Sequence, residues 1–261
     1  MRQRWLVKVL FFAGLVLLWE LLARLAIWPP YMFPSPLEVA SSVADGFADG
    51  TFVDAIGRSM GRIALGYGLS LFVGLPLGLA LGRSRLLRDT LGTLALGMQA
   101  LPSICWLPLG LLWFGLSEAA IMFIVVMGAI FSISLSTADG VRNTAPLYLK
   151  AARTLGARGF FLYSRVILPS ALPAIVSGMK LGWTFAWRSL MAGELLYVSG
   201  GLGQLLAMGR ELNDMSRVIA VMLTIVVLGL VVDRLVFRRL EARVRERWGF
   251  EDGMSADGRQ P

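Results

Sequence analysis

Runs of apolar residues, each about as long as a membrane is thick, recur along this chain near residues 5–27, 60–82, 92–116, 119–137, 173–198 and 218–237. A helix needs ~20 such residues to cross ~30 Å of hydrocarbon, so six transmembrane spans are predicted. Strands of an outer-membrane barrel would instead alternate over ~10-residue segments, and no such alternation appears. Composition agrees, with 56% hydrophobic and 16% charged residues, where a soluble domain carries about 25% charged. The expected fold class is an all-α polytopic membrane protein.

The charges set the topology. With an even number of spans and the termini inside, cytoplasmic segments hold Arg2, Arg4, Lys8, Arg83, Arg85, Arg88, Arg142, Lys150, Arg153, Arg158, Arg165, Arg238, Arg239, Arg243, Arg245 and Arg247. The outer segments hold only Arg58, Arg62, Arg210 and Arg217. This asymmetry orients an inner-membrane protein and accounts for the net charge of +8 without nucleic acid. The basic start before the first apolar run also suits a signal peptide, but that run is longer than a usual signal core and no A-x-A site follows, so a retained span is expected. Histidine is absent and Cys105 is the only cysteine, which removes His-based triads, HExxH zinc sites and thiolate clusters. No metal or cofactor is expected, and Cys105 reads as a packing residue.

Local motifs refine the layout. Ser35-Pro36-Leu37-Glu38 has the form of a capping box with proline at the first helical position, so a short surface helix is predicted in the first outer loop. Gly74, Gly78 and Gly82 recur every four residues and give the second span a flat strip for close helix packing. Pro102 and Pro108 each remove a backbone donor and are expected to bend or interrupt the third span. Gln99 and Ser103 share a face beside them, suited to a polar pathway or to interhelical hydrogen bonds. In the fifth span Lys180 has the option of snorkelling, whereas Arg188 and Glu194 point to different sides and each should meet another span. Arg188 would favour an anionic solute if it faces a pathway, or an ion pair if it fixes the bundle.

The stretch from Ala138 to Leu172 is far longer than a helical hairpin requires. It reads as helix from Pro146, glycine stop at Gly156, second helix over 157–166, and a proline stop at Pro169 and Pro173. Ala151 and Ala152 keep the first helix slim enough for another protein's groove. Three regions follow: an N-terminal span with outer loop (1–58), a core (59–243) containing the 138–172 loop, and a cytoplasmic tail (244–261).

On Ala151, Ala152, Gly156, Ile167, Leu168 and Pro169, the chain resembles the permeases of binding-protein-dependent ABC importers, in their nitrate, sulfonate and taurine branch. The likeness continues through Leu101-Pro102, Pro108, Leu112-Trp113-Phe114-Gly115, Trp187–Leu195 and Gly200-Gly201-Leu202-Gly203, spanning Pro34 to about Arg243. Lys150 stands where the family's EAA loop usually has glutamate. The resemblance implies a MetI-like permease architecture and a homodimer with a second permease copy. It also implies two cytoplasmic ATPase subunits, each receiving the loop helix through Leu147, Lys150, Ala151, Ala152, Leu155 and Gly156, and a periplasmic or lipid-anchored solute-binding protein. The chain has no GxxxxGK[ST] sequence, so nucleotide chemistry is expected in the partner and this chain is not an enzyme. From the residues alone the loop also suits an anionic lipid surface. Two other classes fit less well: an ion-coupled secondary transporter lacks its repeated halves here, and a Ser/Lys hydrolase built on Ser103 and Lys180 has no motif.

Overall fold

The computed structural model describes residues 2–25, 27, 29, 31–196 and 199–248, and every regular element among them is helical. Five helices are long and apolar enough to cross a membrane: Trp5–Arg24, Thr51–Arg83, Glu118–Arg142, Gly159–Leu196 and Met215–Glu246. A sixth crossing is available from two pieces, Arg85–Ala100 and Ser103–Phe114, which meet at 105°. The third predicted span is therefore broken rather than gently kinked. Leu101 is driven into extended backbone (φ −71°, ψ 127°), as the residue before a proline tends to be, and Pro102 has no N–H to continue the ladder. Pro108, expected to break the span as well, lies in the first turn of its helix, where a missing donor costs nothing. Cys105 is exposed on this segment rather than packed.

The described residues cluster into two compact units. In the unit formed by 1–61 and 194–228, none of the described side chains of the first apolar helix is buried, as in a lipid-facing helix. Trp19 Nε1 donates to the Pro34 carbonyl at 3.0 Å, next to the Pro36–Ala48 helix. Both halves of its capping box are made: Glu38 N–H donates to Ser35 Oγ at 3.3 Å, and Ser35 N–H donates to Glu38 Oε2 at 2.7 Å. The helix buries Val39.

In the unit formed by 62–193 and 229 onwards, the Glu118–Arg142 helix is the axis, with Val125, Ala129 and Ile133 fully buried. A Cβ on Gly78 would fall 2.6 Å from Thr137 Cβ, and one on Gly82 would fall 2.7 Å from Val141 Cβ. On another side, a Cβ on Gly182 would come within 2.6 Å of Ile133. Apolar side chains gain little from leaving lipid, so such backbone-close contacts hold membrane helices together. Arg62 anchors one end through Nε and Nη2 to the Glu118 carboxylate, both at 2.6 Å.

The predicted proline stop does not occur. The helix that starts at Gly159 passes through a wide π turn at Tyr163–Ile167 and continues through Pro169 and Pro173. Leu168 N–H donates back to the Tyr163 carbonyl, an i→i−5 bond that shifts the ladder just where Pro169 cannot contribute. The predicted tail beyond 248 lies outside the described residues.

Candidate coupling loop and solute pathway

The loop helix spans Pro146–Thr154, with proline in its first turn. Its end is a full Schellman motif. Gly156 adopts φ +85°, Ala157 N–H donates to the Ala152 carbonyl at 2.9 Å, and Gly156 N–H donates to the Arg153 carbonyl at 3.0 Å. The accompanying apolar contact is Ala152 with Ala157, extended by Leu162, Leu149, Val166 and Ile167. This packing fixes the rotation of the helix. Ala152 is buried, while Leu147, Lys150, Ala151 and Thr154, at helical spacing on the opposite side, are exposed. The two alanines expected to form one slim surface are thus divided, because the chain folds back after Gly156 and covers one of them. Leu155, 88% exposed, lies beside the outward face.

The base of the loop is tied to the apolar helices. Tyr163 Oη donates to the Leu79 carbonyl at 3.2 Å, Arg83 lies 5.7 Å from the Tyr163 ring centre, and the Thr144 and Ser170 hydroxyls are 2.9 Å apart. Val141, Ala171 and Ile175 fill the space between. The loop is thereby joined to the Thr51–Arg83, Glu118–Arg142 and Gly159–Leu196 helices through packed contacts.

Three of the four residues singled out for a pathway come together. Gln99, Ser103 and Arg188 line a cavity of about 430 Å³ with Met127, Phe131 and Phe185. Gln99 and Ser103 end up on the two sides of the 105° corner, so the break that Pro102 imposes builds one wall. Gln99 Oε1 is buried without a hydrogen-bond partner among the described residues. Arg188 is exposed and has no ion pair among the described residues.

Glu194 is not among the cavity's lining residues. It is fully buried, accepts a hydrogen bond from the Ser59 hydroxyl, with Oε1 at 2.9 Å and Oε2 at 2.7 Å, and accepts from Gly203 N–H at 3.0 Å. Leu202 N–H donates to Ser59 Oγ at 2.9 Å, and a Cβ on Gly201 would collide with the carboxylate. The Gly200–Gly203 turn is thus wrapped around one carboxylate, which gives Gly201 a steric reason. Lys180, read as a snorkelling residue, is paired instead: Nζ lies 3.2 Å from Asp233 and 3.3 Å from Glu241. Sequence reasoning missed Ser59, Asp233 and Glu241 because their partners are distant in the chain and no short motif announces them.

The family described as "Binding-protein-dependent transport system inner membrane component" matches residues 74–246. A putative ABC transporter permease protein of Methanocaldococcus jannaschii is 35% identical, covering 84% of this chain and 84% of that protein. The putative aliphatic sulfonates transport permease protein of Bacillus subtilis is 28% identical over 95% of this chain and 89% of its own length. The formylaminopyrimidine transport permease protein of Halalkalibacterium halodurans is 30% identical over 74% and 77%. Among solved structures, the MetNI methionine ABC transporter in an inward-facing conformation contains a chain that superposes with TM-score 0.65 at 19% identity, covering 74% of this chain and 96% of that one. Permeases of this type work with an ATPase and a solute-binding protein and form dimers, and this chain, a multi-pass inner-membrane permease subunit of an ABC importer, belongs to the binding-protein-dependent transport family.

Proposed function

We propose that this permease carries a small anionic organic solute of the sulfonate type from an extracytoplasmic binding protein into the cytoplasm. Two copies meet two ATPase subunits, each of which receives a Pro146–Thr154 helix, and both termini lie in the cytoplasm. The observation that carries the reading of the solute is Arg188, a guanidinium open to the cavity that Gln99 and Ser103 line, without a carboxylate to neutralise it among the described residues. An uncompensated cation in a membrane-spanning helix is costly unless it serves a solute or water-filled path, and guanidinium groups match sulfonate oxygens in geometry and charge. The aliphatic sulfonate relative supports this choice. A flat neutral heterocycle is the second reading, favoured by Phe131 and Phe185 in the wall and by the formylaminopyrimidine relative.

The test is uptake of an aliphatic sulfonate by the full transporter carrying Arg188→Gln, with complex assembly followed by co-purification. Loss of a charge-assisted contact should lower uptake about tenfold or more while assembly stays at the parent level. Unchanged sulfonate uptake with intact assembly would reject the anionic reading. Loss of assembly would make Arg188 a structural residue.

A further inference from the structure

We infer that the ATPase groove receiving the Pro146–Thr154 helix is apolar with an acidic wall, and presents at least one carboxylate to Lys150. The inference rests on the reading that this helix docks on an ATPase, and adds the chemistry of the partner's surface.

The outward face of the helix is defined by its own packing. With Ala152 turned inward against Ala157 and Leu162, the exposed positions Leu147, Lys150, Ala151 and Thr154 follow one line at spacings of three, four and seven. Along the axis Lys150 lies between Leu147 and Thr154, and around it Lys150 forms the edge of the stripe away from Leu155, about 60° from Leu147. Leu147, 71% exposed, precedes it by one turn and Leu155 lies just beyond the helix end. A groove that seats Leu147, Ala151 and Thr154, with Leu147 the apolar reason to bind, brings one wall against Lys150. An ammonium group taken out of water needs a counter-charge.

The chain does not supply one. Between Val141 and Gly193 the sequence contains no Asp or Glu. Lys150, Arg153, Arg158 and Arg165 make no ion pair among the described residues, although Lys180 and Arg142 do. The loop therefore offers a uniformly positive surface with an apolar stripe. Its complement is a groove of apolar side chains with a carboxylate in the wall beside Lys150 and further acidic residues toward Arg153 and Arg158. An anionic lipid surface would also attract these cations, but lipid headgroups have no use for a stripe whose rotation is locked by a Schellman motif and whose small central residue, Ala151, permits close approach.

The experiment uses the full transporter purified in detergent. Lys150→Glu should lower ATPase co-purification about tenfold at low salt. A photo-crosslinking residue at position 150 should map to an ATPase segment containing Asp or Glu. Changing that acid to Lys should weaken the parent complex and restore the Lys150→Glu complex. Full ATPase binding by Lys150→Glu, with Ala151→Trp abolishing binding, would overturn the acidic groove while leaving the docking reading intact. Full binding by both variants would remove the docking reading itself. If Lys150→Glu keeps its ATPase in detergent and loses activity only in phosphatidylserine vesicles, the cations serve lipid and the inference fails.

Discussion

Single residues decide the two sites in different ways. Gly156 matters for its backbone: at φ +85° a β-branched side chain is strained by roughly 1–2 kcal/mol, although open space surrounds the missing Cβ. Gly156→Val should therefore leave the protein inserted in the membrane and disturb the loop locally, seen as faster proteolysis between Thr154 and Arg158. A parental cleavage rate would contradict the assigned strain. Ser59 matters for its hydrogen bonds, since it both donates to Glu194 and accepts from Leu202 N–H. Ser59→Ala removes both at a cost of ~1–3 kcal/mol. The expected sign is a lower melting temperature of the detergent-solubilised protein, with Arg188-dependent uptake of any correctly folded fraction unaffected. An unaltered melting temperature would show that the node carries no stability.

At the scale of elements, the informative contrast lies within one helix. Ala152→Trp should overpack the contact with Ala157 and Leu162 and destabilise the loop itself by ~1–3 kcal/mol, whereas Ala151→Trp should leave the isolated permease as stable as the parent and act only on its partner. Comparing thermal stability with ATPase co-purification separates the two effects. Equal destabilisation by both would mean that the helix is rotated differently. This division also marks what could be read from sequence. Pro146, Gly156 and the Ser35 box follow rules confined to a few neighbouring residues, so their helix ends were legible. The phase of the loop helix was not, because Ala157 and Leu162 set it after the chain has turned back. Pro102 was legible as an interruption. The 105° angle depends on how the two halves pack and has no local signature. Pro169 and Pro173 misled: a wide turn precedes Pro169, and Pro173 is carried inside the regular helix, as membrane helices tolerate.

For the whole molecule, the length of the apolar blocks and the spacing of Gly74, Gly78 and Gly82 carried the architecture, while long-range polar contacts such as Ser59 with Glu194, 135 residues apart, were out of reach of pattern reading. The orientation argued from the basic residues predicts that a membrane-impermeant thiol reagent labels a cysteine placed at Asp49 and spares one placed at Arg245. The reverse pattern would invert the topology. We propose that the Pro146–Thr154 helix transmits ATP-driven motion to the membrane helices through the contacts of Tyr163, Thr144 and Ser170. The most direct test is solute-stimulated ATP hydrolysis by the transporter reconstituted in vesicles with its binding protein, comparing the parent with Ala151→Trp. The variant should insert and fold normally but lose stimulation of hydrolysis by loaded binding protein. Parental stimulation together with parental ATPase binding would contradict it.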